Sequence, residues 1–87
     1  MAQTEILKLL EKEGSLFGTE IIEKLRKNGE TKEWLRGSLK QLRAYNEVKF
    51  VEVNFKNVAD VAMKFDYVKK KIDNGYRVRR KSFLYYL

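Results

Sequence analysis

Seven cations stand close together near the end of the chain: Lys69, Lys70, Lys71, Arg77, Arg79, Arg80 and Lys81, with Asp73 the only acid among residues 69–81. Ammonium and guanidinium groups packed this densely repel one another, and a polyanion such as a phosphate backbone relieves that repulsion. A second basic set, Lys32, Arg36 and Lys40, is spaced by four, which aligns it along one helix face, and Arg43 follows three residues on. A stripe of cations along one helix face likewise suits a polyanion.

The excess charge is local. Residues 1–46 hold nine basic and seven acidic groups, a balance of +2, while residues 47–87 hold ten and five, a balance of +5, together the net +7 of the chain. A surface charged only for solubility would spread its cations more evenly. The same inventory argues against an enzyme. There is no histidine and no cysteine, so the commonest general base, thiolate nucleophile and metal ligands are missing. The carboxylates show no paired spacing suited to acid–base work. No metal, cofactor or small-molecule ligand is expected.

The 87 residues suit a single domain, 1–87, whose core is thin and has no disulfide to reinforce it. Pairing with a second copy is one way such a domain gains stability, so a homodimer is expected. Glu5, Lys8 and Glu11 interrupt the first apolar stretch too early for a signal peptide, and no apolar run reaches a membrane span; a cytoplasmic protein is expected. Abundant Lys and Glu without Cys is a composition that heat-adapted proteins favour.

These side chains need elements to hold them. Ile6, Leu7, Leu9 and Leu10 predict a first helix from about Glu5 to Glu13, capped by Thr4 and ended by Gly14. Ser15-Leu16-Phe17 reads as extended. A second helix follows, with Thr19 as cap, Ile21, Ile22 and Leu25 as its buried stripe, and Asn28-Gly29 as its end. Thr31 caps a third helix whose Leu35, Leu39 and Leu42 face inward, leaving Lys32, Arg36, Gly37 and Lys40 outward; Asn46 ends it.

Val48, Phe50, Val51, Val53 and Phe55 favour a strand. Residues 57–72 carry two patterns at once. Val58, Val61, Phe65, Val68 and Ile72 have helical spacing, while Val61, Met63, Phe65 and Tyr67 alternate as in a strand. Asp73-Asn74-Gly75 has the composition of a hairpin turn, which favours the strand. Folding the chain there sets Phe65 opposite Phe83, Met63 opposite Tyr85 and Val61 opposite Leu87, with Lys71 facing Arg77 and Lys69 facing Arg79 at the tip. The expected fold is thus α+β: three helices followed by an antiparallel hairpin or three-stranded sheet. If residues 57–72 are helical instead, the hairpin shrinks to a basic tail and that segment becomes a dimer contact.

The order helix, short strand, two helices and hairpin resembles the winged helix-turn-helix. "GSLFGTEIIEKLRKNGETKEWLRGSLKQLRAYNEVKFVEV" is similar to the core of small bacterial and archaeal regulators, PadR-like ones in particular. Gly18-Thr19-Glu20-Ile21 stands for their second-helix start, Leu39-Lys40-Gln41-Leu42 for the end of their third helix, and "RRKSFLYYL" for their last wing strand. The chain departs from the pattern at Thr19, where an aromatic is usual, and at Asn46, where glycine is usual. It also lacks the C-terminal dimerisation helices of larger relatives. Plasmid and viral proteins of this size are equally similar.

The resemblance implies a double-stranded DNA-binding transcriptional regulator. Thr31, Lys32, Arg36, Gly37, Lys40 and Arg43 would lie at the major groove, with Arg36, whose guanidinium can donate twice to guanine, the leading candidate for reading a base. Lys69, Lys70, Lys71, Asn74, Arg77, Arg79, Arg80 and Lys81 would form a wing over the phosphates or minor groove. Two other readings stay open: RNA or single-stranded binding through a basic hairpin bearing Tyr76, Tyr85 and Tyr86, and a winged helix used for protein contacts. Gly37 admits either close approach to DNA or close helix packing. Trp34 suits a core or dimer contact better than base stacking.

Overall fold

The computed structural model describes residues 2–27 and 29–87 and arranges them as an α+β fold of five helices and a three-stranded antiparallel sheet. The first helix, α1 (Ala2–Glu13), starts earlier than expected, so Thr4 lies inside it rather than capping it. Gly14 ends it as expected, with φ +88° and its N–H donating to the Leu10 carbonyl at 2.7 Å. Strand β1 is Ser15–Phe17 and helix α2 is Gly18–Arg26. The cap of α2 is Phe17, not Thr19. Phe17 has no side-chain acceptor, so Glu20 serves the helix end instead, its Oε1 accepting the Phe17 N–H at 3.1 Å. Of the expected Asn28-Gly29 stop, Asn28 lies outside the described residues and Gly29 has φ +93°.

Helix α3 (Lys32–Ala44) is capped by Thr31, whose hydroxyl accepts the Trp34 N–H at 3.2 Å. Leu35, Leu39 and Leu42 are buried as their spacing requires, and Ser38 joins them. Asn46 takes the left-handed conformation at φ +56°, and the Glu47 N–H closes the helix end on the Leu42 carbonyl at 3.0 Å. Asn is the residue other than glycine that best tolerates this geometry. Trp34 is 55% exposed, so the expectation of a core contact fails for it.

Strand β2 is Lys49–Val53, and two helices follow, α4 (Val58–Lys64) and α5 (Asp66–Asp73), before the last strand β3 (Ser82–Tyr86). The hairpin expected over 61–87 is therefore absent; the helical spacing of Val58, Val61, Phe65, Val68 and Ile72 is the pattern the chain obeys. Two local causes are visible. Asn54 and Asn57 form a turn that launches α4: Asn54 Oδ1 accepts the N–H groups of Lys56 and Asn57, and Asn57 Oδ1 accepts that of Asn54 at 2.8 Å. Asp73-Asn74-Gly75 ends a helix rather than joining two strands, with Gly75 at φ +95° and the Tyr76 N–H returning to the Lys71 carbonyl at 2.9 Å. Both structures need a left-handed residue at that point, so the same three residues fit either.

The strand order is β1-β3-β2. Leu16 and Phe50 are both partners of Tyr85, Phe17 and Val51 of Leu84, and Glu52 of Phe83. The expected pairs of Phe83 with Phe65 and Tyr85 with Met63 are replaced accordingly. Alternation along the strands then sends Leu16 and Tyr85 to one face, where they join Ile6, Leu10, Ile21, Leu25, Leu35, Leu39 and Leu42. Phe17, Leu84 and Val53 go to the other face and meet Val61 of α4 and Val68 of α5. The sheet is a middle layer, with α1–α3 on one side and α4–α5 on the other. No helix among the described residues is long and apolar enough to cross a membrane.

Candidate nucleic-acid interface

The helical period of α3 divides its cations from its core. Lys32, Arg36, Gly37 and Lys40 are exposed, opposite or flanking the Leu35–Leu39–Leu42 stripe. Arg36, Lys40 and Arg43 line a groove between α3, Thr19 and Ile22 of α2, and Lys81, Ser82 and Phe83 at the start of β3. Four cations thus share one concavity whose lining contains no carboxylate. None of the ion pairs among the described residues involves Arg36 or Lys40. Lys81 lies 3.5 Å from Glu52, but both side chains are well exposed, and such a pair exchanges readily for another anion.

Arg43 behaves differently from its neighbours. Its guanidinium stands 5.0 Å from the centre of the Phe83 ring and 5.9 Å from those of Phe50 and Tyr85, and it donates to the Tyr85 hydroxyl. Burial raises the Tyr85 hydroxyl above its usual range, against the pull of the Arg43 charge. Arg43 therefore closes the end of the groove and ties α3 to the sheet, where its expected place was among outward-reaching residues. Phe50 and Phe83, which hold it, were not anticipated; their spacing on separate strands gives no sign of a shared partner until the register is known.

The expected wing residues divide three ways. Lys69 and Lys70 are exposed on α5, and Asn74 is the exposed C-cap of that helix. Lys71 turns inward. Its Nζ sits 2.6 Å from Glu20 Oε2 and within 6 Å of the ring centres of Phe17, Tyr67 and Tyr76, at 5.8, 5.5 and 5.4 Å. A cation neutralised in this way does not serve a phosphate, so Lys71 is corrected from a wing contact to an internal tie. Glu20 is the hub the residue pattern concealed: it accepts from the Phe17 N–H and the Tyr67 hydroxyl and pairs with Lys71.

Arg77, Arg79 and Arg80 lie on the third part, an irregular strap from Tyr76 to Lys81 that bends at Arg80 and leads from α5 back to β3. Tyr76 and Val78 pack on the Phe17–Val53–Leu84 cluster, with the Tyr76 ring 5.3 Å from that of Phe17. Arg77, Arg79 and Arg80 are exposed. The strap ends at Lys81, inside the basic groove. Tyr85 and Tyr86 are likewise committed to packing, Tyr86 against Phe65 at 4.9 Å.

Gly37 has nothing within 4 Å of where a Cβ would stand. Helix packing therefore does not require a glycine there. Comparison with models of protein families, with curated proteins and with solved structures returns no match for this chain.

Proposed function

We propose that this chain is a small winged-helix protein of the PadR-like type that binds double-stranded DNA and regulates transcription. In this reading α3 enters the major groove and the strap of residues 76–81 follows the backbone beside it. The observation that carries it is the groove in which Arg36, Lys40, Arg43 and Lys81 meet without a carboxylate. The order β1-β3-β2, with β1 between α1 and α2, supports the winged-helix reading. The strap takes the role expected of a hairpin tip, because α4 and α5 occupy the connection between β2 and β3.

Arg36 and Lys40 are then the base-facing cations, since both are exposed and neither pairs with an acid among the described residues, and Lys81, Arg77, Arg79 and Arg80 hold phosphates. Lys32 and the capped N-terminus of α3 lie where a further phosphate would approach. Selection of binding sites from random duplex DNA tests the proposal. A recovered motif that Arg36→Ala relaxes at one position supports base reading. RNA or single strands displacing duplex DNA at equal salt overturns it.

A further inference from the structure

The outer side of the α4–α5 pair carries a second surface, of different chemistry from the basic groove. Ala59 and Ala62 of α4 leave a shallow groove between the helices, bounded by Met63 and Ile72 and crossed by Asp66 and Lys69. Met63 is 86% exposed and Ile72 36%. Asp66 and Lys69 are exposed, and neither takes part in an ion pair among the described residues. The inner side of these helices is occupied by the Val61 and Val68 contacts with the sheet, so this outer side is free for another molecule.

We infer that the occupant is the α4–α5 surface of a second copy, related by a two-fold axis. The argument is charge complementarity. A two-fold contact pairs residue i with j and j with i. One acid and one base, three residues apart on α5 beside an apolar groove, satisfy themselves in such a contact: each Asp66 meets the other copy's Lys69, while Met63 and Ile72 cover the two grooves. A nucleic acid is the wrong partner, because Asp66 would face phosphates. The patch is also neutral on a chain of net charge +7, so it is a place where two such chains approach without strong repulsion. Helices of seven and eight residues present a face only roughly 12 Å long and about 20 Å across, well below the ~800 Å² per partner of a standard interface. The dimer is therefore weak, and the inference does not depend on what the basic groove binds.

Sedimentation equilibrium of the full chain tests it. The average mass should rise from 10.4 kDa toward twice that value as concentration increases through the micromolar range. Met63→Glu, at a position too exposed to affect folding, should raise the dissociation constant about tenfold or more by placing an unpaired charge in the contact. Asp66→Lys and Lys69→Asp should each remain monomeric alone and associate when mixed one to one, because mixing restores both pairs. Wild-type chain that stays at monomer mass throughout overturns the inference, as does a Met63→Glu chain that dimerises unchanged. Failure of the mixed charge variants to associate, or wild-type monomer binding to anionic vesicles through Met63, equally assigns the face to something other than a second copy.

Discussion

Lys71 on α5 and Glu20 in the first turn of α2 meet at 2.6 Å, with both side chains more than two-thirds shielded from solvent. This contact joins the two sides of the sheet at its β1 edge. Lys71→Ala leaves Glu20 without its cation, in a setting between a buried and a surface pair. A loss of about 1–3 kcal/mol follows, or roughly 5–15 °C in melting temperature for a domain of this size. Circular-dichroism melts measure it. The salt slope of DNA binding should not change, whereas loss of a phosphate contact would lower it by about one.

Two tyrosines make the fold sensitive to alkali. Burial, followed by the hydrogen bond and charge of Glu20, raises the Tyr67 hydroxyl, and burial raises that of Tyr85. An acid whose folded pKa lies above its unfolded one keeps its proton in the fold after the unfolded chain has lost it. The contribution is whole below the unfolded value near 10 and declines as pH rises past it. Urea midpoints should fall between about pH 9 and about pH 11, and they should fall less in a Tyr67→Phe, Tyr85→Phe chain, which lacks both raised hydroxyls. Equal pH dependence in the two chains would remove the tyrosines from the account.

The exposed arginines of the strap predict a purely electrostatic phenotype. Arg77→Ala with Arg79→Ala should weaken every duplex alike and reduce the slope of log affinity against log salt by about two. The fold should be unaffected, because Tyr76 and Val78, not the arginines, pack beneath the strap. Filter binding across a salt series separates the outcomes. An unchanged slope would take the strap off the phosphates and confine binding to α3.

Phe83-Leu84-Tyr85-Tyr86 carried more information than the hairpin reading used. A strand with one wet face alternates, whereas this run is apolar at every position, which is the mark of a strand covered on both sides. Leu84 is buried in one cluster with Val61 and Val68, and Tyr85 in the other with Leu39 and Leu42. Covering helices were thus implied, and residues 57–72 were the segment left to supply them. The facing of Lys71 with Arg77 pointed the same way, since the strand model had to accept that repulsion. Arg36 and Lys40 were legible from helical period alone, because their exposure is a local property of α3. Arg43 and Lys71 were not: their charges are bound mainly by groups far away in the chain, Arg43 by the Phe83 ring and Lys71 by the Phe17 ring and the Glu20 carboxylate.

Gly37 offers the sharpest separation of fold from function. It is exposed in the interior of α3, its φ is not left-handed, and a Cβ there would touch nothing within 4 Å. Alanine removes the conformational cost of glycine, so Gly37→Ala should stabilise the protein by up to about 1 kcal/mol. Nothing inside the molecule accounts for keeping a glycine on this face. If the α3 backbone approaches base edges closely at Gly37, the added methyl group lies in the contact, and affinity for the selected duplex should fall even as the melting temperature rises. Paired melting and binding measurements on the one variant decide the matter. A chain that is more stable and binds as tightly as before would show that DNA does not approach α3 at Gly37.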